Sequence, residues 1–310
     1  MTAMPTISVV IPTFNSADYL GGCLASIALQ RDPALEVIVI DGGSSDGTAE
    51  IVAAYAGLVS HFISEPDRGQ GDAVTKGLRL ARGDISHWHA ADDIVLPGAF
   101  SSVRSAFAAD ARLGLVISDG IAFDEHRLVH TGKCRWNNYR TSLFHFARFQ
   151  SDCAYWRSSL TAAALPLDIT QPISVDEDFF LRLWRGHQHR WLDRPLGAFR
   201  LREGQLSGRL SRERLQADRR RTREAIFARD GLGPGQVALW RAATWPEHFM
   251  RNVALPAWRG LGARTRRAWL GGERRQGTLE VLSGFVSASD RDSAARYFDE
   301  LGLRLARGWY

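Results

Sequence analysis

The stretch ISVVIPTFNSADYL at residues 7–20, followed by EVIVIDGGSSDGT at residues 36–48, decides the fold of this chain. Each stretch opens with a run of β-branched apolar residues, which is typical of a strand buried on both faces of a parallel sheet. Between the two runs, residues 16–29 carry leucine and isoleucine at helical spacing, and Asn15 or Ser16 is a plausible N-cap. The order strand, helix, strand is the unit from which parallel sheets are built.

The same alternation continues along the chain. Asp46 is positioned to cap a helix that runs to about Tyr55, and Gly83 is positioned to close a helix over residues 71–83. Further strands are predicted at residues 58–63, 85–90, 114–118, 153–156 and 195–201, with a helix from about 175 and arginine-rich helices from about 208. Residues 120–150 show no regular pattern. The sequence therefore predicts an α/β fold with a mostly parallel sheet flanked by helices.

Polar residues follow three of the predicted strands at the points where the strands end. They are the segment Pro12-Thr13-Phe14-Asn15, then Asp41, then Asp92-Asp93. Ligands of open α/β sheets bind outside the carboxyl ends of the strands. We therefore expect these clusters to meet at one crevice.

Each cluster alone has two interpretations. Asp92 and Asp93 suit a hard divalent cation bridged to substrate phosphates, or they cap the helix that begins near Pro97. Asp41 either forms part of a turn or binds a ligand that its neighbouring glycines allow to approach closely. Together the clusters favour a nucleotide site. No G-x-G-x-x-G opens the first helix and no G-x-x-x-x-G-K-[ST] is present, which disfavours a Rossmann dinucleotide site and a P-loop.

Charge is unevenly distributed between the two parts of the chain. Residues 1–110 hold 6 Lys and Arg against 13 Asp and Glu, a net of −7, and residues 111–310 hold 33 against 21, a net of +12. The three cysteines form no disulfide or zinc pattern, no signal peptide is evident, and no apolar run is long enough to span a membrane. The cysteine pattern predicts a cytoplasmic protein. The charge distribution indicates either arginines that cover solvated helices, or an acidic half that uses a metal and a basic half that meets an anionic partner.

Several blocks of the sequence resemble the family 2 glycosyltransferases. ISVVIPTFNSADYLGGCLASI, EVIVIDGGSSDGT, SEPDRGQGDAVTKGLRLARGD and WHAADDIVLPGAF resemble the family's successive blocks over residues 7–107, and CAYWRSSL, VDEDFFLRLW and FRLREGQLS resemble it more weakly. The resemblance implies the GT-A fold and an inverting enzyme that transfers a sugar from a UDP-, GDP- or dTDP-type donor with Mn²⁺ or Mg²⁺. The acceptor would be a glycan or a lipid-diphosphate-linked molecule of surface polysaccharide or glycolipid synthesis.

The resemblance also assigns roles to individual residues. Asp92 would bind the metal with Asp93 beside it, and Asp176 would be the general base, uncertain by a residue or two because Glu177 and Asp178 follow. The residues implied to contact the nucleotide sugar are Pro12, Thr13, Asn15, Asp41, Asp67, Arg68, Asp72, Asp92 and Arg202. Asp41 would accept a hydrogen bond from the base, and Asp67, Arg68 and Asp72 would lie near the diphosphate and sugar.

The chain departs from the family pattern at three places. Ala90 stands where an acidic residue or Asn is frequent, Thr75 stands where Asn is frequent, and Leu201-Arg202 follow Phe199-Arg200 where a His is frequent. Arg202 would replace that His as a phosphate partner. These departures leave room for an alternative, a catalytically silent GT-A-like module that binds nucleotide or a partner. A nucleotidyltransferase is disfavoured because PTFNSADYL is a poor match to a triphosphate loop.

The two histidines just before Asp92 also have competing interpretations. His87 and His89 flank Trp88 and share one face of a strand, which favours a structural or substrate-lining role over zinc binding because further ligands are missing.

The C-terminal part has four tryptophans and six arginines within residues 240–269. They are Trp240, Trp245, Trp258, Trp269, Arg241, Arg251, Arg259, Arg264, Arg266 and Arg267. They suit either peripheral binding to an anionic membrane or a helical cap packed on a catalytic domain. Pro246 and Pro256 favour the cap, because they would interrupt the continuous apolar face that a membrane-bound helix needs. Nucleic acid is not expected as a partner, because no recognised motif accompanies the charge. We predict a catalytic domain over residues 1–207, divided near residue 110 into nucleotide-binding and acceptor-side parts, and a helical extension over residues 208–310.

Overall fold

A computed structural model describes residues 4–124, 126, 128–131, 138–145, 150–170, 174–202, 205, 212–249, 278–288 and 290–306. The strands are β1 (Ile7–Thr13), β2 (Leu35–Asp41), β3 (Val59–Ser64), β4 (Ile85–Trp88), β5 (Ile94–Val95), β6 (Leu113–Ser118), β7 (Gly120–Phe123), β8 (Leu128–Thr131), β9 (Ala154–Arg157), β10 (Gln188–Leu192) and β11 (Gly197–Arg200). The helices are α1 (Ala17–Ala28), α2 (Thr48–Ala54), α3 (Gln70–Leu80), α4 (Ala99–Ala109), α5 (Tyr139–His145), α6 (Thr161–Ala164), α7 (Val175–Trp184), α8 (Arg212–Arg229), α9 (Pro234–Phe249), α10 (278–286) and α11 (Arg291–Ala306).

Seven strands form the central sheet in the order β10-β6-β9-β4-β1-β2-β3. All neighbours in it are parallel except β9, which runs antiparallel to both β4 and β6. The predicted α/β fold with a mostly parallel sheet is therefore confirmed. Because β1, β2 and β4 are parallel, the segments that follow them leave the same edge of the sheet.

Alternate side chains of the buried strands enter two different cores. Val9 and Ile11 of β1 pack among residues of α1 and α4, whereas Val10 packs with residues of α3 and α7 on the other face. Both cores are apolar and fully enclosed, which explains the uninterrupted β-branched runs of the sequence. The sheet is thus a rigid base for the polar segments at its edge.

A second, smaller sheet lies beside the first in the order β5-β11-β7-β8. Its apolar side chains pack against helices α10 and α11, where Leu282 and Leu301 are fully buried. Helix α8 packs elsewhere, with Ile226 against Leu181 of α7. The described C-terminal helices therefore share cores with the N-terminal part. The predicted boundary at residue 207 lies outside the described residues, and the division into two domains stays a prediction.

Three local predictions were wrong. Helix α3 ends at Leu80 rather than at Gly83, which instead packs so closely against Ser8 of β1 that a Cβ would lie 2.6 Å from its hydroxyl oxygen. Residues 120–150 include β7, β8 and α5. Helix α9 continues through Pro246. Ala242, whose carbonyl loses its helical partner there, is exposed, so water can satisfy the carbonyl. Pro256 lies outside the described residues.

Candidate active site

The end of β1 joins the loop after β2 through Asn15. The backbone N–H of Asn15 donates to the Ser44 hydroxyl at 2.7 Å, and the Asn15 side-chain oxygen accepts from the N–H of Ser45 at 3.0 Å. Asn15 has a φ of 45°, a left-handed conformation that Asn tolerates better than most residues. Beside it, the Thr13 hydroxyl is buried and lacks a hydrogen-bond partner among the described residues. A buried unpaired hydroxyl at a strand end is a candidate ligand contact.

Asp41 organises the loop that follows β2. Its carboxylate is 1% exposed and accepts from the N–H of Ser44 at 3.0 Å and from the hydroxyl of Ser64 at 2.6 Å, and it also accepts from the Ser44 hydroxyl. Asp46, further along the loop, accepts from the N–H groups of Thr48 and Ala17 at 3.0 Å each. One carboxylate therefore caps both α1 and α2. A hydrogen bond from the Thr48 hydroxyl, followed by the bonds from the backbone N–H groups, lowers the pKa of Asp46.

The segment before α3 turns on Gly69, whose φ of 100° favours glycine. Asp67 accepts from the Gly69 N–H at 2.7 Å, and Asp72 in the first turn of α3 pairs with Arg68 at 3.0 Å. A Cβ on Gly42 would lie 2.9 Å from an Asp67 carboxylate oxygen, so this segment touches the loop after β2.

The start of α3 also lies against the start of α7. A Cβ on Gly71 would meet a methyl group of Val175 at 3.0 Å, so only glycine permits this approach. One helical turn further, the Thr75 hydroxyl accepts from the N–H of Leu167 at 3.1 Å and donates to the carbonyl of Gly71 at 2.7 Å. Thr75, one of the departures from the family pattern, therefore joins α3 to the chain that leads into α7.

The Asp92-Asp93 turn follows β4 and is clamped by residues at the end of β11. Asp93 is 1% exposed and accepts from the N–H of Arg200 at 2.9 Å. Asp92 retains partial exposure and pairs with the Arg202 guanidinium at 2.7 Å. The two carboxylates therefore differ, because Asp92 meets a side-chain cation at the surface whereas Asp93 is enclosed.

A second buried carboxyl group lies near this turn. Asp152, which precedes β9, is 1% exposed and fills the space beside Gly197, where a Cβ would lie 2.6 Å from the Asp152 carbonyl oxygen. Burial raises the pKa of Asp152 to about 7. Burial, then the charges of Asp152 and Asp92, raise the pKa of Asp93 well above its ordinary value. Burial thus shifts both enclosed carboxyl groups toward their uncharged forms.

His87 and His89 are both completely buried. The His87 ring contacts the carbonyl of Ala154 at 2.9 Å and the His89 ring at 3.3 Å, and it stacks on Tyr155 with centroids 3.9 Å apart. Burial lowers the pKa of His89 to about 4, so both rings are neutral near pH 7. Neither ring lines an open surface, and across the described part of the chain no group of three or more His, Cys, Asp or Glu residues could hold a metal ion.

The first turn of α7 has three carboxylates in different surroundings. Asp178 pairs with Arg182 at 2.7 Å and Arg229 at 2.9 Å. Asp176 is half-buried and accepts from the N–H of Glu177 at 2.8 Å. Burial raises the pKa of Asp176, and among the residues that the structure describes no ion pair holds its side chain.

Glu177 is buried like Asp178, but it lacks a close ion pair among the described residues. Arg223 of α8 approaches it at 3.7 Å, and burial raises its pKa to about 7. The charge of Arg219, also on α8, acts on both Asp176 and Glu177. The C-terminal helices therefore contribute cations to the acceptor-side carboxylates, which the sequence did not predict.

The structure brings most of the predicted residues into contact with one another, either directly or through one neighbouring residue. Contacts connect the loops after β1, β2 and β3 around Asn15, Asp41 and Asp67, and the ion pair joins Asp92 to Arg202 across 110 positions. Sequence reasoning missed Ser44, Ser64, Asp152 and Arg223, and it gave no role to Arg200. Of these, only Ser44 lies inside a polar motif at a strand end.

Comparisons with known proteins agree on one class. The profile described as Glycosyl transferase family 2 matches residues 8–156. An uncharacterized glycosyltransferase from Mycobacterium tuberculosis H37Rv is 30% identical over 187 residues, 59% of this chain and 70% of that protein. This chain belongs to the family 2 glycosyltransferases. A PGL/p-HBAD biosynthesis glycosyltransferase from the same strain is 30% identical over 194 residues, 58% of this chain and 70% of the relative.

Solved structures confirm the GT-A fold of this family 2 glycosyltransferase. Staphylococcus aureus TarS 1–349, in complex with UDP-GlcNAc, has a TM-score of 0.62 at 18% identity, covering 98% of this chain and 93% of TarS 1–349. The mannosyltransferase PcManGT from Pyrobaculum calidifontis, in complex with GDP-Man and Mn²⁺, has a TM-score of 0.59 at 19% identity, covering 98% of this chain and 88% of PcManGT. Within the described segments, the helices are too short or too polar to cross a bilayer.

Proposed function

We propose that this glycosyltransferase transfers a sugar from a nucleotide-sugar donor to an acceptor hydroxyl with inversion at the anomeric carbon. The observation that carries the proposal is the pairing of Asp92 with Arg202 at the carboxyl edge of the sheet, 2.7 Å apart. A surface carboxylate and a guanidinium side by side supply one partner for a cation and one for a diphosphate. The buried, unpaired Thr13 hydroxyl at the same edge supports a ligand there.

The residues at the turn fit a divalent cation that is shared with the substrate. Asp92 is the carboxylate that reaches solvent, and Mg²⁺ typically takes one or two carboxylates together with substrate phosphates. We therefore narrow the metal proposal to Asp92, with Asp93 holding the turn through the Arg200 N–H. When bound, Mn²⁺ or Mg²⁺ would neutralise the developing charge on the diphosphate leaving group.

The remaining donor contacts are proposed from the geometry of the loops. Pro12, Thr13 and Asn15 border the nucleotide in this proposal. Asp41 shapes the base pocket by accepting hydrogen bonds from Ser44, and its Oδ1, which accepts from the Ser44 hydroxyl, keeps a second lone pair for a base N–H. Asp67 and Arg68 lie in the segment between β3 and α3, which touches the loop after β2, and Asp72 lies in the first turn of α3. We place these three residues near the donor diphosphate and sugar. The complexes of TarS with UDP-GlcNAc and of PcManGT with GDP-Man and Mn²⁺ support a donor of the UDP, GDP or dTDP type.

Asp176 is proposed as the general base. Val175 packs against the start of α3, which brings the first turn of α7 to the donor side of the molecule. The Asp176 carboxylate would take the proton from the acceptor hydroxyl as its oxygen attacks the anomeric carbon, and the nucleoside diphosphate would leave from the opposite face. In-line attack of this kind inverts the configuration without a covalent intermediate.

The acceptor is proposed to be a glycan or a lipid-diphosphate-linked molecule at the inner face of the cell membrane. The relative of PGL/p-HBAD biosynthesis supports glycolipid synthesis. Trp245 and Phe249 of α9 are 56% and 41% exposed and stack on each other, and Leu239 on the same helix is 67% exposed. Exposed aromatic groups in a part of the chain with net charge +12 suit peripheral contact with anionic lipid. Trp258, Trp269 and the five arginines from Arg251 to Arg267 lie outside the described residues.

One experiment separates catalysis from the silent-module alternative. A panel of UDP-, GDP- and dTDP-sugars is screened for thermal stabilisation with Mn²⁺, and the best donor is assayed for transfer or hydrolysis with and without chelator. Asp92→Ala should abolish transfer and keep the wild-type melting temperature, whereas the matched control Asp110→Ala, which removes a surface carboxylate paired with Arg112, should keep both. Donor binding without any turnover would favour the silent module, and near-wild-type turnover of Asp92→Ala would remove the metal assignment.

A further inference from the structure

Tyr19 lies in the first turn of α1 beneath two guanidinium groups. Arg202 lies with its Cζ 4.9 Å from the centre of the Tyr19 ring, and Arg200 lies with its Cζ 5.3 Å from it. Both distances fall within the roughly 6 Å range of cation–π attraction. Both side chains therefore reach the same ring, although β11 ends at Arg200.

The same two arginines hold the Asp92-Asp93 turn. The Arg200 side chain donates to the carbonyl of Asp92 at 3.1 Å, and its backbone N–H donates to Asp93, while the Arg202 side chain donates to the carboxylate of Asp92. Arg200 also lies over the ring of Phe123, 5.1 Å away, and burial lowers its pKa. Arg200 is thus fixed between two rings and a turn, whereas Arg202, which is 33% exposed, is held by Tyr19 and Asp92.

Helix α1 is itself fixed against this turn. Its first N–H, from Ala17, is capped by Asp46 at 3.0 Å, and further along the helix the Cys23 thiol contacts the carbonyl of Ala90 at 3.7 Å. The helix backbone that carries Tyr19 is therefore held against the turn that carries Asp92. A flexible arginine that rests on such a ring loses less freedom when it binds a phosphate.

We propose that Tyr19 is a positioning residue that holds the Arg202 guanidinium where the donor diphosphate binds. The aromatic ring supplies this effect, and the hydroxyl is not required. The inference rests on the proposed function, because it takes the ligand of Arg202 to be a nucleoside diphosphate. It adds a residue of α1 to a site that otherwise consists of strand-end loops and the segment after β11.

The test compares two substitutions at Tyr19 in the full chain. Tyr19→Leu removes the ring and Tyr19→Phe keeps it. Each is titrated with UDP, GDP and dTDP in the presence of Mn²⁺ by calorimetry, and with uridine, guanosine and thymidine by ligand-observed NMR. We expect Tyr19→Leu to weaken the preferred nucleoside diphosphate about 3- to 30-fold, the range of one cation–π contact, and to leave the corresponding nucleoside unaffected. Tyr19→Phe should restore wild-type affinity.

A double-mutant cycle with Arg202→Met adds a readout that a merely structural role would not move. If Tyr19 acts through Arg202, then Tyr19→Leu should have almost no further effect on diphosphate affinity in the Arg202→Met background. Full additivity, an equal loss of nucleoside affinity, or unchanged diphosphate affinity of Tyr19→Leu would each overturn the inference. Failure of wild-type protein to bind any of the three diphosphates would instead overturn the proposed function, and the two failures are therefore distinguishable.

Discussion

Replacing Glu177 by glutamine should stabilise the protein, and more strongly at high pH than at low pH. The Glu177 side chain is 6% exposed, and neither carboxylate oxygen has a hydrogen-bond partner among the residues that the structure describes. Its nearest cation, Arg223, lies 3.7 Å away, too far for a hydrogen bond. The ionised carboxylate is therefore poorly compensated for its burial, and glutamine removes the charge while keeping the shape.

The size of the effect follows from the pKa of Glu177, which burial raises from 4.5 to about 7. A folded-state pKa above the unfolded value means that the folded state binds the proton more tightly, so stability falls as pH rises through this window. The cost of ionised Glu177 grows from about 1 kcal/mol at pH 5 to about 3 kcal/mol at pH 8. Removing the charge should therefore raise the free energy of unfolding by up to about 3 kcal/mol at pH 8.

Urea unfolding of wild type and Glu177→Gln at pH 5 and pH 8 measures this difference. A companion variant, Asp176→Asn, should cut turnover by about 10²–10⁴-fold with donor binding little changed, because it removes the proposed base. Glu177→Gln should retain turnover. Equal stability of Glu177→Gln and wild type at both pH values would refute the argument from burial. Loss of turnover in Glu177→Gln with a mild effect of Asp176→Asn would move the base to Glu177.

Three further outcomes are expected. Asp46→Ala should destabilise the protein by about 1–2 kcal/mol, because it removes the cap of α1 and α2. Asp46→Asn should unfold at a temperature closer to that of wild type. Because the folded state lowers the pKa of Asp46, its contribution to stability should disappear as pH falls through the folded-state pKa. Thr75→Val should lower the free energy of unfolding in urea by about 1–3 kcal/mol, because it leaves the Leu167 N–H unpaired, whereas Thr75→Ser should keep the wild-type value. Equal losses in both variants would assign the effect to packing. In co-sedimentation, the protein should bind anionic liposomes at low salt and release them at high salt. The double variant Trp245→Ser/Phe249→Ser should bind less, because both rings are exposed. An absence of binding at low salt would leave the C-terminal helices as a cap or a protein-docking surface.

The sequence predicted those strands and helices whose buried residues recur in a simple pattern. β1 and β2 are mostly β-branched and apolar, and the predicted strands, residues 7–11 and 36–40, end within two residues of the observed ones. β10, with the sequence QHRWL, was missed because it is a half-exposed edge strand with polar side chains. The antiparallel direction of β9 was also missed, because strand direction depends on contacts with β4 and β6 that are distant in the sequence.

The candidate site was predictable where its residues follow strands. Asp41 and Asp92 were found because parallel strands end at one edge. Asp152 and Arg223 could not be found in this way, since one precedes an antiparallel strand and the other lies in a helix with no visible motif. The different surroundings of Asp92 and Asp93 were equally inaccessible, because the N–H that binds Asp93 belongs to Arg200, 107 positions away.

The ion pair between Asp92 and Arg202 bears on the order in which ligands arrive. A free divalent cation would have to displace the guanidinium from Asp92 and leave it without an anionic partner. A cation that arrives already chelated by a nucleoside diphosphate brings that partner with it, so Arg202 exchanges a carboxylate for a phosphate. On the proposed assignment, the enzyme should therefore bind the metal–nucleotide chelate in preference to free Mn²⁺, and free Mn²⁺ should bind the protein alone poorly.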